Sequence, residues 1–250
     1  MVQMKISVLT IFPEMVESLG DWGVLSRAVD QKIVDLKIVN IRDFTRDKHR
    51  MTDDYPFGGG TGLVMKADPI LDALDSVRGN KRDCHIVLTS PSGEIFNNEK
   101  AIELSEYSHV VFVCGRYKGV DERVMEIIDE ELSIGDFVLS GGELAAMVMI
   151  DALSRFVPGV VGDMDSVMSD SFAKGFLDHP HYTRPREVRN KRVPEVIVSG
   201  DHERVDLFRR KESILKTAIR RPDLFLKAEF TLSDKKAVLE LLRERSHDVE

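Results

Sequence analysis

Three short stretches carry the residues best suited to hold a ligand: LTSPSGE at 88–94, CGRYKGVDE at 114–122 and SIGDFVLSGGE at 133–143. Each sets glycine or proline at the end of an apolar run, and polar side chains follow within a few positions. Glycine lets the backbone come close to a bound molecule. In open α/β sheets, ligands bind beyond the carboxyl ends of the strands. Any one of these turns reads as ordinary punctuation; three in one sheet predict a pocket.

The standard nucleotide signatures are missing. GGGTGL at 58–63 does not fit G-x-G-x-x-G, because Leu63 stands at the sixth position, and no GK[ST] follows a glycine loop. HExxH, GxSxG and an EF-hand loop are also absent, so no metal ligands are assigned and a ligand without a phosphate string fits best. Cys84 and Cys114 fit neither a CxxC motif nor a zinc module and read as small core residues.

The elements that must position these turns alternate. Apolar, β-branched runs at 5–12, 33–41, 85–90, 109–115 and 131–139 read as strands. PILDALDSV (69–77) and VDERVMEIIDE (120–130) have helical spacing. The alternation predicts an α/β fold with a largely parallel sheet covered on both faces. Two segments interrupt it: a polar, glycine-rich loop at 42–65, of a length that marks functional loops, and a partly acidic connector at 161–175. Beyond the connector lie helical patterns at 201–218, 221–228 and 233–245, with no convincing strand core. The expected domains are 1–161, a connector or lid at 162–173, and a small helical C-terminal domain at 174–250.

The helix expected over 142–159 is apolar almost all round, so it is either central in its domain or half of a subunit contact. A contact between identical chains would most simply be two-fold. Arg155 near its end offsets the helix dipole on the simplest reading. With 250 residues, 42% apolar and 31% charged, the composition is that of a soluble globular protein. No apolar run is long enough to span a membrane. The start reads as a first strand rather than a signal peptide, so the cytoplasm is the expected location. The net charge of -8 conceals a basic segment: 12 Lys and Arg against 6 Asp and Glu between His181 and Arg221. That segment suits either a nucleic-acid face or a solvated helical surface.

RDFTRDKHRMTDDYPFGGGTGLVMK, CGRYKGVDERV, SIGDFVLSGGELAAM and SDSFAKGFLDHPHYTRP, in this order and spacing, closely resemble the bacterial tRNA (guanine-37-N1)-methyltransferases of the SPOUT superfamily. The resemblance runs from the first strand to the helical C-terminus. It implies a parallel sheet tied in a deep C-terminal trefoil knot, S-adenosylmethionine as methyl donor, tRNA as substrate, and a homodimer whose active sites draw on both chains. The first knot loop would be CGRYKG, bringing Gly115, Arg116, Tyr117 and Gly119 to the cofactor. The second would wrap the adenosine with Ile134, Gly135, Asp136, Phe137, Val138, Leu139, Gly141 and Gly142. Ser90 and Pro91 match the third wall.

The resemblance also implies the catalytic pair. N1 of guanine is protonated at neutral pH, and a carboxylate acting as general base contributes roughly 10²- to 10⁴-fold. By match to the family motif that carboxylate is Asp170; without the resemblance it is one acid among several in a linker. Arg155 matches the residue that stabilises the charge developing on O6. The basic residues Arg184, Arg186, Arg189, Lys191 and Arg192 suit tRNA phosphates. His49, Asp53, Gly58, Gly59 and Gly60 are candidates for holding the target base, although His49 reads equally well as a turn residue.

Three positions depart from the family: Lys118 for the usual Glu, Phe137 for Tyr and Ala145 for Pro. The family is magnesium-dependent, and Lys118 leaves that metal without an assigned protein ligand, since an ammonium has no lone pair to offer. Two alternatives stay open. One is another SPOUT RNA methyltransferase, which a base at Asp170 disfavours. The other is a non-catalytic RNA-binding module, at which Lys118 hints.

Overall fold

The computed structural model describes residues 2–79 and 84–247. The chain divides into two units, Met1–Met164 and Asp165–Glu250. The division falls inside the segment expected to be a connector.

In the first unit the β-branched runs become one sheet. Strand β1 (Met4–Thr10) leads through helices α1 (Pro13–Glu17) and α2 (Gly23–Asp30) to β2 (Val34–Asn40). The long polar loop contributes only the paired β3 (Asp53–Asp54) and β4 (Val64–Met65) before α3 (Ala67–Asp75). There follow β5 (His85–Ile95), α4 (Asn98–Ser105), β6 (His109–Cys114), β7 (Glu130–Ser133) and α5 (Glu143–Ser154). The sheet order is β2-β1-β6-β5-β7, every neighbouring pair parallel.

Strand β6 shows how the layers arise. All six of its residues are buried, and successive side chains on a strand point to opposite faces. Val110, Phe112 and Cys114 join the core under α2, α4 and α5, while Val111 and Val113 join the one under α3. One buried polar side chain on this strand, His109, is satisfied by the Ser7 hydroxyl at 2.9 Å. Burial and the nearby Lys5 hold its imidazole down to about 4, so it is neutral at pH 7.

Strand β5 is interrupted. It pairs with β7 from Val87 to Thr89, leaves the ladder, and resumes pairing at Glu94 and Ile95. Residues 90–93 are therefore a detour within one strand. A Cβ added to Gly93 would strike the backbone nitrogen of Leu132.

In the second unit, α6 (Met164–Ser169) begins at the boundary, and a short hairpin pairs β8 (Glu187–Val188) with β9 (Lys191–Arg192). Helices α7 (His202–Arg220), α8 (Pro222–Lys227) and α9 (Leu232–His247) follow. Phe176, Ile214 and Ala237 form the core, with Phe225 and Phe230 packed against it. Asp201 caps α7 by accepting from the Arg204 N–H. Asp234 accepts from both the N–H and the hydroxyl of Thr231 at the start of α9. The Arg210 guanidinium beside it holds the Asp234 carboxyl at about 2.

Two local expectations need correction. The helical spacing at 120–130 becomes a six-residue 3₁₀ helix, Glu122–Ile127. Asp121 caps it by accepting from the Arg123 N–H, and an extended Ile128 ends it two residues before β7 starts at Glu130. The strand expected over 131–139 stops at Ser133. There the serine hydroxyl bonds both the N–H and the carbonyl of Gly135, turning the backbone out of the ladder.

Candidate active site

The three predicted turns converge. The detour in β5 and the ends of β6 and β7 open into a cleft of about 330 Å³, within the usual range for small-molecule sites. Ser90 and Pro91 contribute from the β5 detour, and Gly115, Arg116, Tyr117 and Gly119 from the turn after β6. From the segment after β7 come Ile134, Gly135, Phe137, Val138, Leu139, Gly141 and Gly142; Asp136, though predicted, does not line the cleft. Lys118 and Ala145, two of the departures from the family pattern, line it as well.

Two of these turns are joined to one another. The Gly142 N–H donates to the Gly115 carbonyl at 2.8 Å, and Arg116 forms an antiparallel bridge with Gly141. Gly142 has no room for a side chain, since a Cβ there would overlap the Thr89 hydroxyl. That hydroxyl donates to the Val113 carbonyl and so ties β5 to β6 at the cleft floor. Much of the site is therefore backbone brought into contact with backbone.

Beneath the junction lies a residue for which the sequence predicts no role. Glu143, the first residue of α5, is only 1% exposed. Its carboxylate accepts from the Thr10 hydroxyl at 2.9 Å and from Arg116 Nε at 3.2 Å. The Arg116 guanidinium also lies 4.1 Å from the Phe12 ring centroid. Glu143 thus holds together the end of β1, the turn after β6 and the start of α5, where its charge also suits the helix dipole. The only sequence signal is an acid directly after two glycines; its partners lie 27 and 133 positions away.

The pairing neutralises the one arginine that lines the cleft. What remains exposed to a ligand includes backbone groups, hydroxyls, apolar walls such as Leu88, Val120, Ile134 and Leu139, and the charged side chains of Lys118, Glu122 and Glu131. Such a surface suits a flat, uncharged heteroaromatic ring with a short polar chain. Burial pushes the Cys114 thiol well up, so it is no nucleophile at neutral pH.

The long loop reaches the same turn. Lys118 N–H donates to the Leu63 carbonyl and Met65 N–H to the Gly119 carbonyl, each at 3.0 Å. Gly58, Gly59 and Gly60 are exposed upstream, and Asp53 is half-buried in β3. His49 is exposed, with its N–H bonded to the Asp47 carboxylate in a turn. None of these five lines the cleft.

Arg155 is half-buried at the C-cap of α5, in the first unit. Asp170 belongs to the second, just after α6. It shares a cavity of about 180 Å³ with Lys174, Asp178, His179, Arg209 and Arg210. Arg184, Arg186, Arg189, Lys191 and Arg192 are all exposed on and around the β8–β9 hairpin. Arg189 and Asn190 form its turn with positive φ at both positions, as a tight two-residue hairpin requires. Arg192 carries a partner already, the Glu187 carboxylate at 2.7 Å. Among the described residues no helix is long and apolar enough to cross a membrane.

The profile of the family described as tRNA (Guanine-1)-methyltransferase TrmD matches residues 4–227. Proteins named tRNA (guanine-N(1)-)-methyltransferase are similar along their full length. That of Thermosipho africanus is 59% identical over 246 residues, covering 98% of this chain and all of the relative. That of Thermotoga petrophila is 53% identical over 241 residues, covering 96% and 98%. A Dictyoglomus turgidum protein is 48% identical over 246 residues, covering 98% and 100%. A match this long, spanning both the cleft and the basic hairpin, means that the chain belongs to the tRNA (guanine-1)-methyltransferase family.

Proposed function

We propose that the protein methylates N1 of guanosine-37, the base 3′ of the anticodon in tRNA, with S-adenosylmethionine as donor. The observation that carries this reading is the cleft at 115–142, where two glycine turns meet over a buried Glu143–Arg116 pair. Its apolar and backbone-rich walls fit an adenosine bearing a sulfonium better than a phosphate string. When bound, S-adenosylmethionine supplies a methyl group already activated on sulfur. Gly115, Gly141, Gly142, Ile134 and Leu139 would hold it, with Ser90 and Pro91 closing one side. The Arg116–Gly141 bridge and the Gly142–Gly115 bond support a knotted path for this part of the backbone.

The remaining chemistry belongs to side chains. Asp170 removes the N1 proton of guanine, which leaves that nitrogen with a lone pair able to take the methyl group. Arg155 stabilises the negative charge that this deprotonation places on O6. Arg184, Arg186, Arg189 and Lys191 neutralise tRNA phosphates, and His49, Asp53 and the 58–60 glycines hold the unstacked base. Magnesium dependence belongs to the reading with no protein ligand assigned.

The active form is proposed to be a cytoplasmic homodimer. Supporting this, α5 buries Ala146, Met149, Ile150 and Leu153 on one side while Leu144 and Val148 are 45% and 51% exposed on the other. Exposed apolar side chains one helical turn apart suit a two-fold contact.

The test is transfer of labelled methyl from S-adenosylmethionine to tRNA transcripts that carry guanosine or another base at position 37. Label is expected only with guanosine. Transfer irrespective of that base would reject the substrate assignment, and no transfer at all would favour an RNA-binding module.

A further inference from the structure

The second unit gathers three metal-capable side chains in four consecutive residues, Asp178-His179-Pro180-His181, none of which lines the cleft described above. One ligating atom from each of Asp178, His179 and His181 lies within 4.8 Å of the others. A tetrahedral zinc centre with bonds near 2.0–2.1 Å separates its donors by about 3.3 Å. The Asp178 Oδ2–His181 Nε2 distance of 2.6 Å and the Asp178 Oδ1–His179 Nε2 distance of 3.8 Å lie on either side of that value.

The hydrogen bonding points the same way. His179 Nδ1 stands 3.1 Å from the Pro180 carbonyl, which can only accept, so Nδ1 carries a hydrogen. That leaves Nε2 as the ring nitrogen free to ligate, 3.8 Å from Asp178 Oδ1, which itself accepts the His179 backbone N–H at 2.7 Å. Metal-ligating histidines characteristically donate their second N–H to a carbonyl in this way. The His179 and His181 rings are 4.3 Å apart and both approach the single Asp178 carboxylate.

The backbone beneath is held from several directions. Leu177 N–H donates to the Thr217 hydroxyl, the Ser213 hydroxyl donates to the Leu177 carbonyl, and Lys216 Nζ donates to the Asp178 carbonyl. The Asp178 N–H donates to the Ser171 hydroxyl at 2.9 Å. A rigid frame of this kind is what a metal centre needs from its surroundings.

We propose that Asp178, His179 and His181 bind one divalent transition-metal ion of the zinc type, with solvent completing the coordination. Two imidazoles and one carboxylate suit zinc, nickel or copper rather than magnesium or calcium, which prefer all-oxygen shells. His181 now donates its Nε2 hydrogen to Asp178; on binding, the metal takes that place and His181 carries its hydrogen on Nδ1, so a neutral ring releases no net proton. Because Ser171 both follows Asp170 in the chain and bonds to Asp178, the ion would brace the segment that bears Asp170. The site itself does not rest on the methyl-transfer reading.

The experiment uses untagged full-length protein freed of metal by a chelator. It is titrated with zinc sulfate by calorimetry and with cobalt(II) by visible absorption. One zinc per chain and d–d bands from cobalt in a low-symmetry nitrogen and oxygen field are expected. His181→Ala, whose side chain is 68% exposed, and His179→Ala should each weaken binding by more than the roughly 10- to 100-fold that loss of an outer-shell partner costs. Absence of binding to the unaltered protein, or unchanged affinity in both variants, overturns the site. Displacement of zinc by an equal concentration of magnesium overturns the assignment of metal class.

Discussion

The cleft of the first unit and the 165–192 region of the second are built on opposite principles. In the cleft, glycine turns at 115–119 and 135–142 frame the lining, which also carries the exposed side chains of Tyr117, Phe137 and Val138, and they are fixed in place by a buried carboxylate and a hydroxyl. In the second region, the candidate residues are side chains on a short helix, turns and a two-residue-strand hairpin, and most are exposed. A surface made of backbone is organised before any ligand arrives. One made of long exposed side chains loses rotamer freedom only when a polyanion orders it. The contrast fits a small cofactor recognised by shape and a large nucleic acid recognised by charge.

The comparison can be broken most sharply at Asp170. Asp170→Asn should leave S-adenosylmethionine binding near normal while methyl transfer falls by roughly 10²- to 10⁴-fold in single-turnover assays. An unchanged rate would take the second unit out of the chemistry. Next in size, Gly142→Ala forces a methyl onto the Thr89 hydroxyl. Overpacking of that kind costs about 1–3 kcal/mol, to be read as a lower midpoint in denaturant titration together with weaker cofactor binding. Unaltered stability and affinity would show that the two turns are joined less tightly than their hydrogen bonding suggests. The smallest effect belongs to Arg189→Ala with Lys191→Ala, which should weaken tRNA binding and reduce its salt slope by about one for each phosphate left without its cation. A loss of cofactor binding in that double variant would erase the division of labour.

Legibility in the sequence follows the range of the interaction. Strand β6 is plain because five apolar residues in a row, Val110 to Cys114, form a purely local pattern, and the glycine turns mark where such strands have to end. The helical spacing at 120–130 misleads because apolar periodicity does not distinguish an α-helix from the 3₁₀ turn that Asp121 caps and an extended Ile128 ends. Glu143 is invisible, since what makes it matter is burial against Thr10 and Arg116, and a single acid in a sequence carries no mark of its distant partners. The same holds for Asp178, His179 and His181. Their adjacency is visible in the sequence, but the orientation of the lone pairs is not, and adjacency alone assigns no metal ligands.

The detour within β5 has a further consequence. Residues 90–93 depart from and rejoin the same strand, and the rejoined part is locked to β7 by Glu94 opposite Leu132 and Ile95 opposite Ser133. A residue added at 94–95 would shift that pairing and turn the later side chains to the other face, and a side chain at Gly93 would strike the Leu132 backbone, whereas 90–92 lie outside the ladder. Changes of length in this wall are therefore confined to the three residues before Gly93, while the paired residues after it can change only by exchange of side chains.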